Sequence, residues 1–282
     1  MRLSTRSHDR DAAGFVHVYP VLSRRSRGVS VGINLNTNNA CNWRCIYCQV
    51  PGLVRGAAPP LDLDLLEGEL RTFLADVVHG DWMQANVPEG ARRLNDLALS
   101  GNGEATTSRQ FDEVVARLCA VLDDFGLTGE VKLVLITNGS LVQRPEVARG
   151  LARMARANGE VWFKLDRATR EGRAAWNDVE LSDARVEENL RRCAATCRTR
   201  VQTIVMALDG EPPSAPEQAA YLDFLARQVA AGVPLVDVLL YGLERTSHQP
   251  EAPRLAKLPD EWLEGYAARI RAATGLAVEV HP

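Results

Sequence analysis

The sequence predicts an α/β protein built from repeated strand–helix units, and three observations carry that prediction. Short β-branched or apolar runs alternate with longer segments of helical periodicity about six times along the chain. Some apolar runs, such as 131–136, have no polar face, as expected of a parallel strand covered on both sides. The length, 282 residues, also suits a barrel of alternating strands and helices. Such alternation implies parallel pairing with right-handed crossovers. A closed barrel, a partial barrel and a doubly wound open sheet all satisfy it, and in each, ligands gather at the carboxyl ends of the strands.

Composition narrows the class. Hydrophobic residues make up 46% and charged residues 24%, which matches an ordinary globular protein with a sizeable core. A net charge of −3 gives no whole-molecule case for nucleic acid or membrane, although it leaves room for a local basic patch. Met1 to Asp11 has no apolar signal-peptide core, and no run approaches the ~20 apolar residues of a membrane span. A cytoplasmic protein is expected, with its six cysteines as reduced thiols or metal ligands rather than a disulfide framework.

Residues 1–28 form a basic N-terminal arm, with Arg2, Arg6, Arg10, Arg24, Arg25 and Arg27 against Asp9 and Asp11. It is either a solvated tail or a lip for an anionic substrate such as RNA or a phosphorylated metabolite. The core is expected over 29–241, and 242–282 as a C-terminal loop, helix and short strand covering it. Val29 to Leu35 alternates and is β-branched, a strand. Leu61 to Val78 repeats apolar residues at helical spacing, with Asp62 or Asp64 as cap. Residues 79–93 read as a loop. Leu94 to Leu99 is a strand, Phe111 to Phe125 a helix closed by Gly126, and Val131 to Ile136 a strand. Pro145 opens a helix to 157, followed by a strand over 161–165. Further helices are expected over 183–197, 219–231 and 259–273, and strands over 201–208, 233–241 and 276–280. The long polar loop 242–258, carrying Glu244, Arg245, Ser247 and His248, is either a substrate contact or ordinary surface.

Chemistry concentrates after the first strand. Cys41, Cys45 and Cys48 fall within eight residues, spaced C-x3-C-x2-C. Thiolates suit iron–sulfur clusters, zinc and Cu(I). Three on one loop can hold three corners of a [4Fe–4S] cube and leave one iron open to a small molecule. A structural zinc site closes with four ligands, often as two separated pairs, which this stretch does not resemble. After the second strand, Gly101-Asn102-Gly103-Glu104 lets backbone approach a ligand closely and offers a carboxylate for an ammonium group; the competing reading is a plain β–α turn. It is not a dinucleotide fingerprint, because Thr106 stands where the third glycine would be. Thr137-Asn138-Gly139 offers hydroxyl and amide groups for a ribose or carboxylate, or is an ordinary turn. Lys164 and Asp166 end the next strand and either meet a substrate anion or pair at the surface. Cys119 reads as core. Cys193 and Cys197, at i and i+4, could bind a metal, but a pair is too few for an auxiliary cluster and they read as plain thiols.

Together, CNWRCIYC followed about fifty residues later by SGNGE resembles the radical S-adenosylmethionine superfamily. Tyr19–Arg25, Ser30–Asn34, Phe163–Asp166 and Val238–Tyr241 are further similar to a branch of Fe–S oxidoreductases related to the wyosine-synthesis tRNA enzymes. The resemblance implies a partial (β/α)6 barrel of the radical SAM type. It implies a [4Fe–4S] cluster on Cys41, Cys45 and Cys48, with S-adenosyl-L-methionine on its open iron. Gly101, Asn102, Gly103 and Glu104 would bind the amino group, Tyr47 would flank the adenine, and Thr137 and Asn138 would lie near the carboxylate or ribose. Lys164 would reach the carboxylate. Reductive cleavage would then give a 5′-deoxyadenosyl radical that abstracts hydrogen from a substrate, with flavodoxin or ferredoxin as low-potential electron donor.

The sequence departs from that family at three points. Asn102 splits the usual Gly-Gly-Glu, Ala105 replaces a common proline, and Val201 to Asp209 lacks the G-x-I-x-G-x-x-E glycines. For substrate, RNA or another anionic molecule is expected. The alternatives are a small-molecule or peptide modifier, a glycyl-radical activase, or a non-enzymatic Fe–S or zinc module.

Overall fold

A computed structural model describes residues 3, 14–23 and 28–282. The six arginines behind the expected anion-receiving arm lie outside the described residues. The chain divides into two compact units. One takes in Met1–Asn42, Gly56–Ile136 and Arg144–Glu160, the other Trp43–Arg55, Thr137–Gln143 and Val161–Pro282.

In the first unit the strand order is β1 (Val18–Ser23), β2 (Gly28–Ile33), β3 (Leu94–Leu99) and β4 (Lys132–Thr137). β1 pairs antiparallel with β2, from Val18 opposite Ile33 to Ser23 opposite Gly28. β2 and β3, and then β3 and β4, pair in parallel. Part of the segment read as an arm is therefore a buried edge strand. Its entry is held by Glu69 of α1 (Leu63–His79), a buried carboxylate accepting from the amides of Val16 and His17 at 2.7 and 2.8 Å. Asp62 caps α1 by accepting from the Asp64 and Leu65 amides. α2 (Phe111–Asp124) packs on α3 (Pro145–Arg156), where Gly150 makes room for a ring: a Cβ there would sit 2.5 Å from Phe111.

The second unit repeats the pattern with β5 (Gly159–Lys164), β6 (Arg198–Val205), β7 (Leu235–Gly242) and β8 (Val278–His281) in that order. β6–β7 and β7–β8 are parallel. Their crossovers contain α6 (Ala215–Ala230) and α7 (Asp260–Thr274). α4 (Arg170–Asn177) and α5 (Asp183–Thr196) lie between β5 and β6.

Three elements differ from expectation. Residues 79–93, read as a loop, contain a helix over Trp82–Asn86, which is too short for an apolar period to show. α6 starts at Ala215 rather than Ala219: Ser214 caps it and Pro216 sits in its first turn, where a missing N–H costs nothing. α4 has no apolar periodicity. It is eight residues with an internal glycine, and it buries Arg173, whose guanidinium donates to the Ala168 and Leu181 carbonyls at 2.6 and 2.7 Å. Polar groups that solve their own bonding inside a fold leave no hydrophobic stripe to read.

Candidate functional site

In the first unit the chain leaves β2 through Asn34, whose amide donates to the His17 carbonyl at 2.8 Å while its own carbonyl meets His17 Nδ1 at 2.9 Å. The buried Asn34 Oδ1 accepts from the Asn36 amide at 3.1 Å and from the Asn102 amide at 3.0 Å. Asn36 Nδ2 donates to the Ala40 carbonyl at 2.8 Å and to Thr107 Oγ1 at 3.1 Å. The two glycines of the turn are close-approach residues. A Cβ at Gly101 would lie 2.3 Å from Asn34 Oδ1, and one at Gly103 would lie 2.0 Å from the Ala40 carbonyl oxygen. Asn102 is not an idle insertion, because its Nδ2 donates to Asn39 Oδ1 at 2.6 Å.

Glu104 is buried, and its carboxylate accepts from the Thr106 amide at 3.2 Å and the Thr106 hydroxyl at 2.6 Å. The residue that breaks the dinucleotide pattern thus orients the acidic side chain. Thr107 ties the same turn back to the chain leaving Cys41: its hydroxyl accepts from the Ala58 amide at 2.9 Å. Cys41 itself is half-buried.

In the second unit Cys45 is buried and Cys48 half-buried, and the Cys48 amide donates to the Cys45 carbonyl at 2.9 Å. Two elements brace this loop. From α4, whose last carbonyls lack helical partners, Asn177 and Trp176 accept from the amides of Arg44 and Ile46 at 3.1 and 2.9 Å. From 247–251, the buried Ser247 hydroxyl lies against the Ile46 carbonyl at 2.8 Å and the Cys48 carbonyl at 3.2 Å. The His248 amide donates to the Cys48 carbonyl at 2.8 Å. Arg44 grips both braces, with a bidentate bond to Glu251 at 3.0 Å and a contact to Asp178 at 3.2 Å. The loop considered for substrate contact therefore holds the cysteine loop.

Polar side chains converge on Cys45. Its sulfur accepts from Asn177 Nδ2 at 3.2 Å and stands 4.0 Å from Lys164 Nζ. The buried Asp166 receives Asn177 Nδ2 at 2.9 Å, the Ile204 amide at 3.3 Å, and the Tyr47 hydroxyl. Lys164 and Asp166 are thus not a surface ion pair. Lys164 lies over the Tyr47 ring, 4.9 Å from its centroid. Burial lowers the Lys164 pKa, but Cys45 and Asp166 outweigh it and raise it above the usual lysine range. Burial, then Asp166, pushes the Tyr47 phenol well above its usual range, so it remains a donor. Beside them Arg167 stacks on Trp176, 3.1 Å from the ring centroid, and burial brings its guanidinium down to about 10.

Thr137 and Asn138 are buried at the end of β4 and engage their own turn. Thr137 Oγ1 accepts from the Gly139 amide at 3.0 Å, and Asn138 Oδ1 from the amide and hydroxyl of Ser140 at 3.0 and 2.7 Å. Gly139 has φ 70°, and a Cβ there would meet the Phe163 ring at 2.1 Å. Among the described residues no three His, Cys, Asp or Glu side chains converge as a metal site. Cys193 and Cys197 are both buried on α5 and the residue after it.

Sequence reasoning missed the bonding roles of Asn34, Asn36, Asn177 and Glu251, and it considered Ser247 for substrate contact rather than for bracing the cysteine loop. The run Asn34–Asn36–Asn38–Asn39 before the cysteines was a visible signal, since closely spaced amides build turns. Nothing local marks the other three.

Parallel strand–helix units, with a glycine-tight acidic turn in the first unit and a thiol-bearing loop in the second, define a β/α protein. Residues 35–222, more than half the chain, match the Radical SAM superfamily, and the chain belongs to it. Solved structures agree on the fold. A radical SAM methyltransferase from Sphaerobacter thermophilus is 14% identical at a TM-score of 0.62, over 94% of this chain and 68% of that one. Streptococcus suis SuiB bound to the precursor peptide SuiA is 12% identical at a TM-score of 0.59, over 91% and 49%. TYW1 with a lysine–pyruvate adduct is 11% identical at a TM-score of 0.58, over 88% and 74%. These likenesses show the partial β/α barrel of radical SAM enzymes. Among curated proteins, the GTPase Obg of Brachyspira hyodysenteriae (strain ATCC 49526 / WA1) is 24% identical over 135 residues, which is 47% of this chain and 17% of that protein. The chain thus spans less than a fifth of that relative and about half of SuiB.

The family's members typically bind S-adenosylmethionine at a [4Fe–4S] cluster, and the donor chemistry of Cys41, Cys45 and Cys48 suits that group, while the three do not converge as a metal site in this structure. The donors are soft thiols, and an amide N–H at 3.2 Å and an ammonium at 4.0 Å face the Cys45 sulfur, as suits a ligand to an electron-rich cluster.

Proposed function

We propose that this chain is a cytoplasmic radical SAM enzyme with Cys41, Cys45 and Cys48 as ligands of a [4Fe–4S] cluster. The positive surroundings of the Cys45 sulfur, on a loop inside the family match, carry the reading. A [4Fe–4S] cluster held by these thiols would supply the electron for reductive cleavage of S-adenosylmethionine, and so the means of abstracting hydrogen from a substrate. The protein's part is placement. Gly101 to Glu104 offer backbone and a pre-oriented carboxylate to the amino group. Lys164, held charged, takes the carboxylate, with Thr137 and Asn138 beside it. Tyr47 presents its ring to the adenine, its hydroxyl anchored by Asp166. The braces from α4 and 247–251 keep the cysteine loop from reorganising. A flavodoxin or ferredoxin is the electron donor, and the substrate is an RNA or another anionic molecule, received by the arginines before residue 28.

Anaerobic reconstitution with iron and sulfide, followed by dithionite and S-adenosylmethionine, tests this. We expect 5′-deoxyadenosine from the wild type and loss of the cluster's visible absorbance in Cys45→Ala. An intact cluster that yields no cleavage product overturns the radical reading. Bulk tRNA should bind less tightly at higher salt; salt-independent binding or none counts against RNA.

A further inference from the structure

We infer that Asn177 is a positioning residue for the electron-transfer step: its side-chain amide donates to the Cys45 sulfur and thereby raises the reduction potential of the cluster that sulfur would ligate. The inference rests on the cluster assignment above and adds a residue to it.

Asn177 is 1% exposed, so no water competes for its amide. One contact of Nδ2 is to Cys45 Sγ at 3.2 Å and the other to Asp166 Oδ2 at 2.9 Å. The amide has two N–H groups, and each has an acceptor. The carboxylate also fixes which way round the amide lies, because the flipped form would set the amide oxygen against Asp166. Asp166 is itself immobilised by the Tyr47 hydroxyl and the Ile204 amide. The backbone is pinned as well. The Asn177 carbonyl accepts from the Arg44 amide at 3.1 Å, and the next residue, Asp178, is left-handed at φ 51° and held by Arg44. Asn177 is therefore clamped at both ends with its donor aimed at one sulfur.

A neutral N–H aimed at a ligating thiolate stabilises the more negative, reduced cluster over the oxidised one. The Lys164 ammonium, 4.0 Å from the same sulfur, acts in the same direction. Cluster reduction is a one-electron step, so a tenfold loss in its equilibrium constant corresponds to about 59 mV.

The test is an EPR-monitored redox titration of reconstituted wild type, Asn177→Ala and Asn177→Leu, without S-adenosylmethionine. We expect the midpoint to fall in Asn177→Ala and in Asn177→Leu by at least a tenfold equivalent, since neither side chain can donate and leucine keeps the volume. The same midpoint at equal iron and sulfide content overturns the inference. Resonance Raman in H2O and D2O gives a second readout: a deuterium-sensitive Fe–S(Cys) stretch is expected in the wild type, and its absence there, or a shift of the same size in Asn177→Leu, also overturns it. A wild type that takes up no cluster overturns the enclosing assignment instead.

Discussion

The glycine turn of the first unit and the cysteine loop of the second are held by opposite means. The turn is tight because atoms leave no room. Gly101 and Gly103 each face a neighbour that a Cβ would strike, and Glu104 is bonded by Thr106, two residues away. The cysteine loop is held by hydrogen bonds from far along the chain: Asn177 lies 132 residues from Cys45, and Ser247 lies 201 residues from Ile46. A sterically fixed turn should fail abruptly when an atom is added. A bonded loop should loosen in steps as bonds are removed.

The sharpest break is Gly103→Ala. Its Cβ would fall 2.0 Å from the Ala40 carbonyl oxygen, a backbone atom that cannot swing aside, and 2.8 Å from Asn36. We expect a destabilisation above the ~1–3 kcal/mol usual for overpacking, seen as a lower urea midpoint. Gly101→Ala strikes the Asn34 side chain at 2.3 Å and its Cα at 2.9 Å, at a backbone φ of 158°, and should also destabilise. Equal, small losses in both would mean that the turn is not sterically set.

Next in size is Ser247→Ala. The hydroxyl is buried against the carbonyls of Ile46 and Cys48 and also accepts from the Gln249 amide at 3.0 Å. Removing it takes a partner from the Ile46 carbonyl and the Gln249 amide, while the Cys48 carbonyl keeps the His248 amide, at a cost of about 1–3 kcal/mol. The loss should be local, with faster amide exchange at residues 46–48 and unchanged exchange in α2. A uniform rise in exchange across the chain would show that the brace supports the whole unit rather than the loop.

That contrast also explains what the sequence could tell. Cys41, Cys45, Cys48 and Gly101–Glu104 were legible because their chemistry is carried by neighbours along the chain, at spacings that sterics and ligation impose. The strands were legible from apolar runs such as Leu133–Leu135, all buried. The braces were not. Ser247 and Glu251 lie in a polar loop whose composition says only that it is a loop, and Asn177 ends a helix without apolar period. Tyr47 was picked out for its place beside Cys48, yet its bond to Asp166, 119 residues on, follows only from the fold. Such bonds depend on which strand ends the topology gathers, and that information is spread over the whole chain.

The smallest expected effect is at Arg44. Its guanidinium is one third exposed, and its partners Glu251 and Asp178 are 19% and 49% exposed, so solvent screens the pairs. Arg44→Ala should cost about 0.2–1 kcal/mol, less in high salt, and Arg44→Lys should keep the charge while losing the two-pronged bond to Glu251. The sign of the pH dependence is fixed. The hydrogen bond from Arg44 outweighs burial and holds Glu251 below the usual carboxylate range. At Asp178 burial opposes the shift, but the bonds from Arg44 and Arg55 again bring the pKa down. The stabilisation is therefore complete above the ordinary carboxylate pKa and fades as pH falls through the depressed values. Acid titration of wild type and Arg44→Ala should show their stabilities converging at the low end. Curves that stay parallel would mean that Arg44 supports the loop through the packing of its side-chain stem rather than through its charge.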